Sequence, residues 1–285
     1  MLNILKRVNI HSKDNGLEFI VKDRRNEIIK ILEGSDWSQV IDDGFLLIYN
    51  NRYDSSNENT ILISCHIDSV FNEGDYFIKE SDDGKITGTL DNTGSIAILL
   101  DTMLSGKLPI NVFVSFTGDE EEDSRGAILT AEYLRDEKPE VWERLGVVIT
   151  LDVSNKNEDR DLSIENFFIE EEPGNASTLS FNDPEEFITY ISRILDSENI
   201  TYGILRDDET LPDESWDYEE FDLNVFSLCL PVSVNCREEN SCHDFCQSVF
   251  EHCIKGVTTT KKQMEHVKKG IIAICGKIIK NSEIS

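Results

Sequence analysis

Two histidines and three carboxylates stand in this chain where metal ligands could stand. They are His66 in ILISCHIDSV, Asp91 in GTLDNTG, Glu121 in VFVSFTGDEEE, Asp152 in VVITLDVS and His243 in NSCHDF. Each is predicted to lie at the end of an apolar strand. Two imidazoles and three carboxylates suit a pair of adjacent divalent ions that share one carboxylate. Glu120 lies beside a ligand, where a general base is needed. The chemistry this implies is hydrolysis by metal-activated water.

Each feature also has a plainer explanation. His66 and Asp68 form H-x-D, in which Asp68 restrains the histidine or orients the base; a loop histidine beside a solvated aspartate would look the same. Asp91 can bridge two ions through its two oxygens, with Thr93 or Asn92 left to cap the following helix. An acidic run such as GDEEED is usually a solvated face. Here it directly follows an apolar strand and precedes a helix, so one carboxylate can bind metal while its neighbour moves a proton.

The surrounding elements place these residues. Residues 23–34 predict a helix ending at Gly34, and FLLIYN and TILISC predict strands. YFIKE and KITG flank the turn SDDG as a small hairpin. A helix is expected over about 93–105, a strand at NVFVSFT, a helix at RGAILTAEYLRDE and a strand at VVITLDV. DPEEFITYISRILDSE has apolar residues at helical spacing behind Pro184. ITYGIL and LNVFSLCL predict further strands, and from 243 onward the chain reads as mostly helical. Strands alternating with helices predict an α/β fold with a mixed, largely parallel central sheet and helices on both faces. Such sheets bind ligands beyond the carboxyl ends of their strands.

The net charge is −29, from 27 basic and 56 acidic residues. Nucleic-acid binding needs concentrated Lys and Arg, so this balance argues against it, and also against docking on anionic lipid. No run approaches the roughly 20 apolar residues of a membrane helix, and MLNILKRVNIHSKDN predicts no signal peptide. The seven cysteines show no paired framework. A cytoplasmic location follows as the expectation.

With the residues in this order, the chain resembles the co-catalytic zinc exopeptidases of peptidase clan MH, which include aminopeptidases, tripeptidases and deacylases. The resemblance runs from about residue 60 to 153 and resumes loosely from about 200 to 250. Its most specific stretch, E-E-E-D-S-R-G-A, is similar to the group's E-E-x-G-x-R-G-A, with Asp123 in place of the glycine. The approach to His243 departs from the group's H-S-P-x-E. The resemblance implies His66 and Asp152 on one metal, Glu121 and His243 on the other, and Asp91 between them. It further implies Glu120 as general base and Asp68 as its supporting aspartate.

The expectation is a single catalytic domain over residues 1–285, without a full lid or dimerisation domain. Its cofactors would be two divalent ions, Zn²⁺ first and Co²⁺ or Mn²⁺ as alternatives. Its substrate would be a peptide, trimmed from the amino end, or, in a carboxypeptidase or deacylase alternative, a peptide C-terminus or an N-acylated amino acid. The oligomeric state is left open. A non-catalytic acidic binding module on the same fold is a second class of function. A third is a structural zinc domain built on Cys236, Cys242, Cys246, His252 and Cys253, although C-x5-C and C-x3-C spacings suit zinc poorly. Segment 205–222 is expected either to line the substrate pocket or to form an acidic surface loop. Replacing Cys242 and Cys246 together with serine should leave metal binding and most hydrolysis intact under reducing conditions. Loss of one ion from a folded double variant, measured by metal analysis, would make a cysteine a ligand.

Overall fold

The computed structural model describes the chain except residues 11–21, 43, 56–58, 70–75, 122, 171–174, 176–178, 180, 182, 207–209, 211, 235–255 and 281–285. The amino-terminal half contains α1 (Leu2–Val8), α2 (Lys22–Leu32), β1 (Trp37–Ile41), β2 (Phe45–Asn50), β3 (Thr60–His66), β4 (Ile78–Glu80), β5 (Lys85–Gly88), α3 (Thr93–Leu104), β6 (Val112–Thr117), α4 (Arg125–Glu137) and α5 (Pro139–Trp142). Then come β7 (Leu145–Ser154), β8 (Leu162–Phe168), α6 (Pro184–Ser197), β9 (Tyr202–Ile204), α7 (Glu214–Glu219), β10 (Val225–Pro231), β11 (Ser233–Val234), β12 (Val257–Thr260) and α8 (Lys261–Lys280).

The main sheet has the order β1-β2-β6-β3-β7-β10-β8-β9. Its middle strands β6, β3, β7 and β10 run parallel, while β1, β2 and β8 join antiparallel to their inner neighbours. Strands covered on both faces must be apolar nearly throughout, and β3, β6 and β10 are buried at every position. Helices α1, α2, α3, α6 and α8 gather on one face, and α4, α5 and α7 on the other.

The two faces differ chemically. Ile63, Val114, Ile149 and Leu228 point toward α3 and α8 in the larger apolar core. The alternate positions change character along each strand. Leu62, Phe113, Val148 and Val225 begin the rows in the smaller core under α4 and α7. Ser64, Ser115, Thr150 and Ser227 follow, and His66, Thr117, Asp152 and Cys229 stand beyond them. Because side chains alternate across a strand, each row stays on one face.

Several expectations need correction. Strands β1 and β8 were not anticipated; Glu165 and Asn166 interrupt the apolar pattern of LSIENFF, yet both are buried. The described residues beyond 255 are mostly helical, as expected, with the β-branched run VTTT adding the strand β12 ahead of α8. The predicted hairpin β4–β5 belongs to a second, antiparallel sheet of order β11-β12-β5-β4. Segment 205–222 is not a simple surface loop: Asp213 caps α7 by accepting from the Ser215 amide, and Glu214, Ser215 and Tyr218 are buried.

Gly126 shows how tightly one loop is held. A Cβ there would lie 2.5 Å from the Gly118 oxygen and 2.6 Å from the Gly44 oxygen, both backbone atoms. Gly126→Ala should therefore cost about 1–3 kcal/mol by overpacking and disturb the loop between β6 and α4. Denaturant unfolding measures the first effect and metal titration the second.

Candidate active site

The predicted residues come from separate elements. His66 ends β3 and is buried, and Asp68 follows it. Asp91 lies between β5 and α3, so it comes from the small sheet's side and not from an exit of the main sheet. Glu120 and Glu121 occupy the loop from β6 to α4. Asp152 is inside β7, which continues to Ser154. His243 lies outside the described residues, as do Cys236, Cys242, Cys246 and Cys253.

The residues that are described converge on one imidazole. His66 Nε2 is 3.5 Å from Asp91 Oδ1 and 3.4 Å from Asp152 Oδ1. Its Nδ1 is 3.4 Å from Asp68 Oδ1 and 3.9 Å from Glu120 Oε2. His66, Asp91 and Glu121 each offer a ligand atom, and these atoms lie within 4.8 Å of one another. Nε2 thus faces the donors predicted to share a metal, while Nδ1 faces the aspartate predicted to orient the ring.

Local bonds explain the placement. Asp68 Oδ2 accepts from the Glu121 amide at 3.1 Å, so one carboxylate steadies both the histidine side and the acidic loop. That loop closes through the Asp119 oxygen, which accepts from Asp123 N and Ser124 N. Left-handed backbone falls at Asp119 (φ 68°) and Ser124 (φ 46°). Asp123 is not among the positive-φ residues, so this turn does not call for the glycine found in the resembling group. Asn92 occupies the N-cap position of α3 without capping it. Its side chain instead donates to the Leu151 oxygen at 2.7 Å, and the Asp91–Asn92 peptide is cis. Ser95 donates to the Asp152 oxygen at 3.0 Å, and Val153 N donates to Asp152 Oδ1 at 2.6 Å.

Arg24 also bears on the site, although nothing in its local sequence marks it. It is fully buried, donating from Nε to the Val8 oxygen at 3.2 Å and from Nη1 to the oxygens of Ile67 and Asp68. It fixes the backbone just beyond β3 from below. The arginine pair in DRRNEIIKIL reads as solvent-facing helix residues, and only tertiary partners reveal the position of Arg24.

The electrostatics fit a divalent cation. Burial pushes Asp91 well above the usual carboxylate range, and the charges of Glu121 and Asp152 add to this. Burial also raises Glu120, opposed by His66 and reinforced by Asp152 and Glu121. Burial disfavours a charged imidazole at His66, yet Glu120, Asp152 and Asp68 outweigh it and hold His66 well above its ordinary value. For Asp68 burial is outweighed by His66 and the Glu121 amide, and its carboxyl lies below the usual range. Asp91 Oδ1 is buried and has no hydrogen-bond partner among the described residues. Crowded, buried anions around one imidazole are the surroundings in which a dication replaces protons.

An imidazole surrounded by carboxylates beside the ends of parallel strands is an arrangement able to hold a divalent ion. A family model for Peptidase family M28 matches residues 49–199, and the chain belongs to that family. It is a metallo-exopeptidase. A search of curated proteins finds no match. Among solved structures, an aminopeptidase from the archaeon Desulfurococcus kamchatkensis superposes with a TM-score of 0.69 at 10% identity, covering 100% of this chain and 98% of that one. A TET aminopeptidase from the marine sediment archaeon Thaumarchaeota archaeon SCGC AB-539-E09 gives 0.66 at 10% identity, covering 97% and 98%. Aminopeptidase PepT from Bacillus cereus ATCC 10987 gives 0.65 at 9% identity, covering 97% of each chain. At these identities the likeness speaks for the fold.

Asp91→Ala should reduce metal binding at both predicted positions, because its two oxygens are expected to serve both ions. Metal analysis of the purified variant checks this; normal occupancy would remove Asp91 as a bridge.

Proposed function

We propose that this chain is a single-domain aminopeptidase that uses two divalent ions to remove residues from the amino end of peptides. The observation that carries the reading is the convergence of His66, Asp91 and Glu121 within 4.8 Å, with Asp152 on the same imidazole nitrogen. His66, Asp152 and Asp91 would hold one ion. Glu121 and His243 would hold the other, with Asp91 shared. Zinc suits the mixed imidazole and carboxylate donors, and cobalt or manganese suits them nearly as well.

Ions held there supply polarisation of the scissile carbonyl and a lowered pKa for water. The chain's own residues do the rest. Asp68 holds His66 through Nδ1, which leaves Nε2 to the metal side. Glu120 takes the proton of the attacking water and passes it to the leaving nitrogen. Its burial suits this shuttle, since a buried carboxyl among like charges accepts a proton readily. The presence of Glu120 beside the ligands speaks against a binding module that has lost catalysis. The described cysteines Cys65, Cys229 and Cys275 are free and buried, which supports a reducing, cytoplasmic setting.

Incubating the metal-loaded protein with a peptide library and reading which terminus is trimmed tests this function. Loss of amino-terminal residues is expected, and trimming from the carboxyl end alone would overturn the aminopeptidase assignment. Glu120→Gln should keep its metals and fold while losing about 10²–10⁴-fold in turnover. Glu121→Gln should instead weaken metal binding. Exchange of these two phenotypes would shift the assignment of the acidic run by one residue.

A further inference from the structure

Helix α7 and its N-cap place two acidic residues, Glu214 and Asp213, beneath the candidate site. Glu214 is 3% exposed. Its Oε2 accepts from Ser64 Oγ at 2.9 Å, and its Oε1 accepts from Thr117 Oγ1. Ser64 lies in β3, two positions before His66 on the same face. Thr117 ends β6, pairs with His66 in register, and leads into the loop of Glu120 and Glu121. Tyr218, one turn further along α7, donates to Ser64 Oγ at 3.0 Å. Asp213 serves the neighbouring pair of strands. Its Oδ2 accepts from Ser227 Oγ at 2.5 Å in β10, and Ser227 accepts from Thr150 Oγ1 at 2.7 Å in β7. Thr150 lies two positions before Asp152 on the same face.

The geometry points to Asp213 and Glu214 as a clamp that sets the spacing of the four central strand ends, with Glu214 a positioning residue for His66 and for the Glu120–Glu121 loop. The inference rests on the reading of those residues as ligand and base. Packing alone does not require a carboxylate here, because the same helix covers the start of these rows with apolar contacts. Both Glu214 oxygens are engaged by hydroxyls from adjacent strands, so one side chain fixes their relative position. Burial raises Glu214 to about 7, although His66, Thr117 and Ser64 oppose the shift. Its hydrogen bonds, more than a permanent charge, therefore define what it contributes.

The test compares Glu214→Ala, Glu214→Gln and Thr117→Val with the parent protein. It uses Co²⁺ titration, the visible spectrum of the Co²⁺ form, and steady-state kinetics at a temperature where each variant is folded. A clamp predicts that Glu214→Ala loses about 10–100-fold in metal affinity or turnover, the usual range for groups that orient ligands. Its Co²⁺ spectrum should change and its KM should stay near the parent value. Thr117→Val, which removes one arm at nearly constant volume, should shift the same readouts less. Glu214→Gln can still accept from one hydroxyl and donate to the other, so it should recover most of the loss. If Glu214→Ala lowers only the melting temperature, with cobalt affinity, spectrum and kcat unchanged, the clamp is overturned. It is equally overturned if Glu214→Gln is as impaired as Glu214→Ala. Should Glu214→Ala fail to fold, Thr117→Val decides by the same readouts. Should the parent protein bind cobalt normally and trim no peptide, the aminopeptidase reading fails while the metal titrations still judge the clamp.

Discussion

Mutual repulsion among carboxylates around one buried imidazole is the constraint that the surrounding structure answers. Asp68, Asp91, Glu120 and Asp152 all approach His66 within 4 Å, and Glu121 lies within reach of His66 and Asp91. Left to water, such groups would separate. Here each is tied to a rigid part of the chain. Asp152 is carried by a central strand and fixed by the Val153 amide. Asp91 is held because its neighbour Asn92 bonds to β7. Glu121 is held through its own amide, which donates to Asp68. Arg24 anchors the backbone of Ile67 and Asp68. The divalent ions of the proposed function would offset what remains of the repulsion. The same crowding that is unfavourable in the bare chain then becomes the source of affinity.

The main sheet shows how a stable core and a charged site coexist within a few residues. On one face the strands stay apolar and pack on α3 and α8. On the other, apolar side chains give way to hydroxyls, and beyond these stand His66 on β3 and Asp152 on β7. Hydroxyls suit the middle position because they are small and both donate and accept, so the buried Glu214 and the half-buried Asp213 find partners there. A buried polar group without such partners would cost about 1–3 kcal/mol. The hydroxyl row thus separates the apolar base of the sheet from its charged rim.

Much of this was legible in the sequence, and what escaped did so for physical reasons. TILISCH, VFVSFT and LNVFSLCL announce themselves because strands buried on both faces must be apolar throughout. His66, Asp152 and the Glu120–Glu121 pair follow from their positions at or near the ends of such runs. Asp91, singled out by its type and order, lies beside His66 in the structure, although it arrives from the small sheet and not from a main-sheet exit. Strand β8 was hidden because buried Glu165 and Asn166 make its sequence look solvated. Arg24 and α7 were hidden for a related reason. Periodicity tells which side chains prefer water, but a buried ion or acid depends on partners distant in sequence, as Glu214 depends on Ser64 and Thr117. The cap expected of Thr93 or Asn92 does not form: Asn92 donates its amide to the Leu151 oxygen, and Thr93 Oγ1 donates to the Thr89 oxygen.

The two outer strands of the main sheet carry a consequence for life in a crowded solution. Strands β1 and β9 end the sheet, and each leaves an apolar side chain, Ile41 or Ile204, in contact with solvent. An open strand edge is a template on which another copy can continue the hydrogen-bond ladder. Strand β9 limits this by brevity, with only three residues, Tyr202–Ile204. Strand β1 is longer but is followed by Asp42 and Asp43. With a net charge of −29 on every copy, edge-to-edge approach must also overcome long-range repulsion. Screening by salt weakens that repulsion, so colloidal stability in this protein should depend on ionic strength more than its folding does.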